Sequence, residues 1–192
     1  MSEISLERDH WKERVNGSAR TIWHPTTPTC ALDVRARSAG SVELQSRLIL
    51  SDDFDISVGF LTLDWSSGLD AFEEFYLGIT SRYRRRDLVL VSRRSSQVDG
   101  DIYYSNFYCH RRWGLYPAVR GAGGGNKLRI VRKDGIVTTH VYLKRWIRLG
   151  RFDNPLDCAD IAIVIGASNH FRQRPKFPRV QVAFREFVAK LG

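Results

Sequence analysis

Hydrophobic and polar residues alternate with a period of two along most of the chain. In the segment DFDISVGFLTL, four large apolar residues fall on one side and polar or small residues fall on the other: Phe54, Ile56, Val58 and Phe60. This is the pattern of a half-buried strand, whose successive side chains point to opposite faces of a sheet. Similar alternation predicts strands at 74–82, 87–94 and 127–133, with Phe75, Leu77, Ile79, Leu88, Leu90, Leu128 and Ile130 facing the core. Shorter patterns predict further strands at 32–37, 42–50, 101–110, 136–143, 160–167 and 179–188.

Apolar spacing of period 3.6, the mark of an amphipathic helix, is almost absent, and only residues 69–75 suggest one helical turn. The strand candidates are separated by short turn segments, of which Asp134-Gly135 is the clearest hairpin signal. The chain shows no strand-helix-strand order, and this absence argues against a parallel sheet. This many strands can bury their apolar faces only if two sheets stack or one sheet closes into a barrel. The sequence therefore predicts an all-β, two-sheet antiparallel β-sandwich that forms one domain over residues 1–192.

The composition is that of a globular protein. The chain has 192 residues, of which 43% are hydrophobic and 27% charged. Its longest apolar stretch, Ile161 to Ala167, is far shorter than the roughly 18 residues of a membrane helix, and the N-terminus lacks the apolar region of an export signal. We therefore expect a cytoplasmic protein with no membrane partner.

The net charge of +9 (30 basic minus 21 acidic residues) indicates an anionic partner without naming it. The same Arg-rich composition is also typical of basic bacterial proteins that bind no nucleic acid. Three widely spaced cysteines, Cys30, Cys109 and Cys158, form neither a disulfide framework nor a metal knuckle, so we interpret them as reduced structural thiols.

Catalytic and metal motifs are weak. The glycine-rich stretch 121–125 is followed by a predicted strand and lacks the residues of a phosphate-binding loop. The acidic residues do not have the spacing of the glucanase triplet, and the five histidines show no metal-ligand spacing. The sequence thus favours a protein that is not an enzyme and uses no metal or cofactor.

Aromatic residues and arginines are interleaved between residues 82 and 116, where they could form a stacking surface for flat ligands. On the strand predicted at 101–110, Tyr104, Asn106 and Tyr108 share one side, and Tyr103, Phe107 and Cys109 share the other. We predict that the even-numbered side is the more exposed, because burying Asn106 without partners would cost about 1 to 3 kcal/mol.

The predicted ligand-binding residues are therefore Tyr104, Asn106 and Tyr108, with Arg82 and Arg93 as contacts for anions. The simpler alternative is that these aromatic residues are cross-strand packing pairs and that the arginines only keep the surface soluble.

From Asp53 to its end, the chain resembles the concanavalin A-like lectin/glucanase jelly-roll superfamily, in particular its non-catalytic bacterial members of unknown function. The segments that carry the resemblance are DFDISVGFLTLDW, EFYLGITSR, DLVLVSRR, GDIYYSNF, KLRIVRKDGIVTTHVYL, WIRLGRF, DIAIVIGASN and VQVAFREFVA. The resemblance implies a jelly roll of about twelve strands with one concave sheet and a common role in carbohydrate binding or cleavage. The chain departs from the catalytic members in lacking their acid triplet, and from legume-type lectins in lacking a run of Ca²⁺ ligands.

Three functions follow. The leading hypothesis is a non-catalytic, lectin-like module that binds an oligosaccharide, in particular an acidic polymer. The second is a glycoside hydrolase or lyase with a non-standard acid pair drawn from Asp99, Asp101 and Glu43. The third, which the sequence favours least, is binding of nucleic acid or another polyanion through the Arg-rich surface.

Overall fold

The chain folds into two antiparallel sheets of eight and seven strands. The computed structural model describes residues 5–35, 39–65, 71–82, 87–96, 100–109, 112–116, 118–121, 126–153, 156, 160–171 and 179–192. In these ranges the helical structure is one 3₁₀ turn, Arg8–His10. No helix among the described residues has the length and apolar character needed to cross a membrane. The prediction of an all-β sandwich is confirmed.

Eight strands form the first sheet. Its order is β1 (Trp11–Asn16), β4 (Gly40–Leu50), β14 (Ile161–Phe171), β6 (Ala71–Ser81), β7 (Leu88–Ser96) and β8 (Gly100–Cys109), and β8 also pairs with β9 (Arg112–Leu115) and β10 (Val119–Arg120). The order of the second sheet is β13 (Trp146–Asp153), β12 (Ile136–Tyr142), β11 (Lys127–Lys133), β5 (Phe54–Trp65), β15 (Val180–Leu191), β3 (Cys30–Val34) and β2 (Ala19–Trp23).

Aromatic rings join the inner faces of the two sheets. Phe60 of the second sheet packs against Phe75 of the first, with ring centroids 4.6 Å apart, and Phe75 also meets Phe184 edge-on at 5.9 Å. A polar contact crosses the same layer, where Thr139 Oγ1 donates to Ser105 Oγ at 2.8 Å and both side chains are buried. One core therefore lies between the sheets.

The predicted hairpin between β11 and β12 is present. Its two central residues, Asp134 and Gly135, have φ of 51° and 76°, and the paired residues on either side are Lys133 and Ile136. Positive φ at both central positions defines the type I′ turn, whose twist matches that of the flanking strands.

The helical turn suggested at 69–75 is wrong for the part that the structure describes, since 71–75 belong to β6. The misleading residue is Glu73, which lies on the inner side of the strand two residues before Phe75 and is buried. A buried carboxyl among apolar inner positions interrupts the alternation that would have indicated a strand. Residues 69 and 70 lie outside the described residues.

The core-facing side of β7 was also predicted wrongly. Val89 and Val91 are fully buried in the core, so Leu88 and Leu90 point to the opposite side of the sheet. The strand begins with four consecutive apolar residues, and alternation alone does not show which pair faces the core.

Glu73 makes the stability of the fold sensitive to pH. Neither of its carboxylate oxygens has a hydrogen-bond partner among the described residues, and burial raises the pKa of this carboxyl from 4.5 to about 7. A raised pKa means that the folded state holds a proton that the unfolded state releases, so stability falls as pH rises from about 4.5 to 7 and then levels off.

We predict that Glu73→Gln removes most of this fall, because glutamine carries no charge at any pH. The measurement is urea unfolding of both proteins at pH 4.5 and pH 8, with Glu13→Gln, a glutamate on the exposed surface, as control. Equal pH dependence in wild type and Glu73→Gln would show that Glu73 is not the responsible group.

Candidate binding site

The face of the first sheet that is turned away from the second sheet, called the outer face below, carries a row of directly opposed residues. Strand pairing places six residues side by side, one on each of six neighbouring strands: Arg14, Glu43, Gly166, Tyr76, Ser92 and Tyr104. Neighbouring strands lie about 4.8 Å apart, so the row runs across the sheet rather than along a strand. Side chains from distant parts of the sequence meet on it.

Tyr76 and Arg14 both contact Glu43 in this row. The Tyr76 hydroxyl donates to Glu43 Oε2 at 3.1 Å, and Arg14 Nη1 lies 3.5 Å from Glu43 Oε1. Arg14 also donates through Nη2 to Gln45 Oε1 at 2.8 Å. Burial, together with the adjacent Glu43 carboxylate, raises the pKa of Tyr76 well above its ordinary value, so the hydroxyl remains a hydrogen-bond donor.

Gly166 is what lets Tyr76 lie in this position. A Cβ atom at residue 166 would overlap the ring and hydroxyl of Tyr76, so any larger residue would displace the ring. The glycine sits between Glu43 and Tyr76 in the strand pairing, which leaves a path for the tyrosine side chain across β14 to the carboxylate.

A second tyrosine–glutamate pair lies further along the face. The Tyr104 hydroxyl donates to Glu74 Oε1 at 2.5 Å, and burial raises the pKa of Tyr104. Glu74 lies directly opposite Arg94 of β7. The Tyr104 side chain is only 7% exposed. It therefore forms part of the floor of the face, where its hydroxyl holds Glu74.

A cavity of about 540 Å³ opens beside the row, over β1, β4 and β14, and four cationic side chains line it: Lys12, Arg14, Arg47 and Arg82. Gln45, Ser46, Ile49 and Ala162 complete the described part of its wall. A β-bulge helps to shape it. Ile49 pairs with Ala162 and Gln45 pairs with Val164, so three residues of β4 stand opposite Ile163 alone.

A smaller cavity of about 50 Å³ continues from the first across β6 and β7. Arg14 and Gln45 belong to both cavities, and the wall of the smaller one also includes Glu43, Tyr76, Thr80, Leu88, Leu90 and Val164. The leucines that the sequence assigned to the core thus form an apolar floor next to the cationic cavity. Glu43 is the only carboxylate among the described residues that line the two cavities.

The far edge of the outer face is aromatic. Trp113 of β9 pairs with Tyr108 of β8, and Leu115 pairs with Asn106, so all four side chains project to the outer face. Trp113 is 75% exposed and Leu115 is 60% exposed, and Tyr108 is partly exposed. A large indole left in water at this edge is available to stack on a ligand.

The structure agrees with the predicted orientation of β8, but not with the expected exposure of the whole even-numbered side. Tyr104 is buried, and Asn106 Oδ1 is buried without a hydrogen-bond partner among the described residues. Tyr103 and Cys109 belong to the core and Phe107 packs against it, whereas Tyr104, Asn106 and Tyr108 lie on the outer face. Arg82 lines the larger cavity on the same face.

Arg93, by contrast, is not brought to this face. Its side chain lies on the inner side of β7, where Nη2 is 2.5 Å from Asp101 Oδ2 and the guanidinium lies 6.0 Å or less from the ring centroids of Phe60, Phe75 and Tyr103. Its role as an anion contact of this face therefore has no support in the geometry. Asp99 and Cys158 lie outside the described residues, and Cys30 and Cys109 are buried.

Sequence reasoning missed Lys12, Arg14, Arg47 and Trp113 as site residues. Lys12 and Arg14 reach the site only because β1 pairs with β4, and Arg47 lies in the bulge of that strand. Of these four residues, Trp113 could have been named from the sequence, because it lies in the segment where aromatic residues and arginines are interleaved. No group of three or more His, Cys, Asp or Glu side chains suited to a metal ion occurs among the described residues.

Known proteins resemble this chain in structure and not in sequence. No family model matches the chain, and no curated protein sequence matches it. A functionally unknown protein of Saccharomyces cerevisiae superposes with a TM-score of 0.68 at 12% identity, covering 98% of this chain and 99% of the other. The alginate lyase of Klebsiella pneumoniae gives a TM-score of 0.61 at 10% identity over 85% and 81% of the two chains. The chain has the jelly-roll fold of the lectin and glucanase proteins.

A third structural neighbour is a carbohydrate-binding module, CBM66 of Bacillus subtilis. It superposes on this jelly roll with a TM-score of 0.54 at 12% identity and covers 90% of this chain and 95% of the other. The neighbours thus include a binding module as well as an enzyme, and identities this low establish the fold alone.

We predict that Gly166→Ala displaces Tyr76 and destabilises the protein by about 1 to 3 kcal/mol, the usual cost of overpacking. The measurement is a double-mutant cycle in urea with Gly166→Ala, Tyr76→Ala and the double variant. If the ring is the obstacle, Gly166→Ala costs much less once Tyr76 is already alanine. Additive effects would show that the glycine is needed for another reason.

Proposed function

We propose that the protein is a non-catalytic carbohydrate-binding module that binds an acidic glycan across the outer face of the first sheet. The observation that carries the proposal is the cavity lined by Lys12, Arg14, Arg47 and Arg82, which shares its face with the exposed ring of Trp113. One end of the face offers positive charge and the other offers a flat apolar surface. An acidic sugar chain presents both matching features.

The cationic end suits carboxylate or sulfate groups. Three of the four cations are arginines, whose planar guanidinium groups bind such oxygens through paired hydrogen bonds. Their charge is opposed within the described lining of the two cavities by Glu43 alone. The excess positive charge favours an anionic ligand over a neutral one.

The aromatic end suits the apolar face of a sugar ring. Trp113 and Tyr108 project together from paired positions, and Asn106 and Leu115 project beside them. An aromatic platform supplies contact area at low conformational cost, and neighbouring amide and hydroxyl groups add directional hydrogen bonds. Between the two ends, the floor formed by Leu88, Leu90 and Tyr76 is continuous with the cavities.

Binding fits this face better than hydrolysis does. Glycosidases hold two carboxyl groups across the bond they cleave, and the described lining of the two cavities holds one, Glu43. The second glutamate of this face, Glu74, is hydrogen-bonded to Tyr104 and lines neither cavity. Asp101, named in the hydrolase hypothesis, is ion-paired with Arg93 on the inner side of the sheet. These side-chain positions support the lectin-like hypothesis.

We expect calorimetry to detect binding of a uronic-acid oligosaccharide and weaker binding of its carboxyl-reduced, neutral counterpart. Arg47→Ala should weaken the acidic ligand about three- to tenfold and leave the neutral one nearly unchanged. Trp113→Ala should weaken both by about three- to tenfold, because it removes stacking and no charge.

Matched controls lie on the second sheet. Arg148→Ala removes an exposed arginine, and Trp146→Ala removes an indole that is 37% exposed, both far from the outer face of the first sheet. Neither should change affinity. Binding of neither oligosaccharide, or equal losses from these controls, would refute the proposal.

A further inference from the structure

We infer that Glu43 is a specificity-determining residue, a built-in anion that competes with the acid group of the ligand for Arg14 and so weakens the binding of anionic ligands. The inference deepens the proposed function and rests on it for the identity of the ligand. Its physical basis is the position of one negative charge beside a cavity lined by four positive ones.

The geometry ties Glu43 directly to the cavity. Arg14 lines both cavities, and its guanidinium is held on one side by the Glu43 carboxylate at 3.5 Å and on the other by the Gln45 amide oxygen at 2.8 Å. An anionic ligand that enters the larger cavity must share Arg14 with Glu43 or displace it. Lys12, Arg47 and Arg82 then supply the remaining attraction.

The Glu43 carboxylate is held in its position beside Arg14. Its other oxygen accepts the hydrogen bond from Tyr76, whose ring lies against Gly166 in the floor of the face. The tyrosine thus orients the carboxylate toward Arg14. A ligand with one weak acid group gains little from replacing this existing ion pair, whereas a ligand with several acid groups also engages the other three cations.

The test substitution is Glu43→Gln, which removes the charge and keeps an oxygen that can accept the Tyr76 hydrogen bond. Two unit charges about 4 Å apart and screened by water interact enough to change affinity about three- to tenfold. We therefore expect Glu43→Gln to bind the uronic-acid oligosaccharide about three- to tenfold more tightly and to bind the neutral counterpart unchanged. A catalytic or purely structural role would not produce tighter, charge-selective binding.

Glu74 provides a matched control on the same face. It also accepts a hydrogen bond from a tyrosine, Tyr104, but lies opposite Arg94 and does not line either cavity. Glu74→Gln removes the same charge and likewise keeps an oxygen that can accept the hydrogen bond of its tyrosine. If only the net charge of the protein mattered, both variants would bind a small anion such as sulfate in the cavity equally well, and the inference would be overturned.

A simple anion separates this inference from the proposed function. Sulfate binding to wild type, Glu43→Gln and Glu74→Gln is followed by NMR shifts of the arginine side chains lining the cavity, at constant ionic strength. We expect tighter sulfate binding in Glu43→Gln alone. That result with no oligosaccharide binding by any variant would support the role of Glu43 and refute the glycan proposal. Unchanged sulfate binding in Glu43→Gln would refute the role of Glu43.

Discussion

The contact of Phe60 and Phe184 with Phe75 joins the two sheets, and the direction of the other side chains in these strands follows from it. Because side chains alternate along a strand, burying Phe75 turns Tyr76 outward, and burying Tyr103 turns Tyr104 outward. The outer face is thus the complement of the core, and a slip of one residue in pairing would exchange the two sets.

Two local departures from regular sheet geometry shape the candidate site on this face. Gly166 removes a side chain from the middle of the sheet, and the ring of Tyr76 occupies the space. The bulge in β4 adds residues opposite Ile163, whose backbone N–H is bonded by Ser46 Oγ at 2.9 Å. That hydrogen bond satisfies a backbone N–H that the bulge leaves without a strand partner. In the same bulge, the Arg47 side chain is exposed beside the cavity.

Sequence periodicity was enough to predict the two-sheet architecture and the outward side of β8, because both depend on local alternation. It failed where alternation is ambiguous, at Leu88 to Val91, and where a polar residue is buried, at Glu73. The candidate site depends on pairing between distant segments. Arg14 donates a hydrogen bond to Gln45 on the neighbouring strand, and both line the same cavity as Arg82. A tight turn predicts the pairing of neighbouring strands such as β11 and β12, but a single sequence displays no pattern for pairing between distant strands or for this bulge.

The charges of the outer face are arranged by position rather than by number. Both glutamates on its floor accept hydrogen bonds from tyrosines, but Glu74 faces Arg94 and Glu43 borders the cavity. A carboxylate that is held by a half-buried donor keeps its place when a ligand arrives, so its repulsion acts on every anion that enters. In the function we propose, the positive cavity attracts anions at a distance and discriminates among them at Arg14, the side chain that Glu43 already engages.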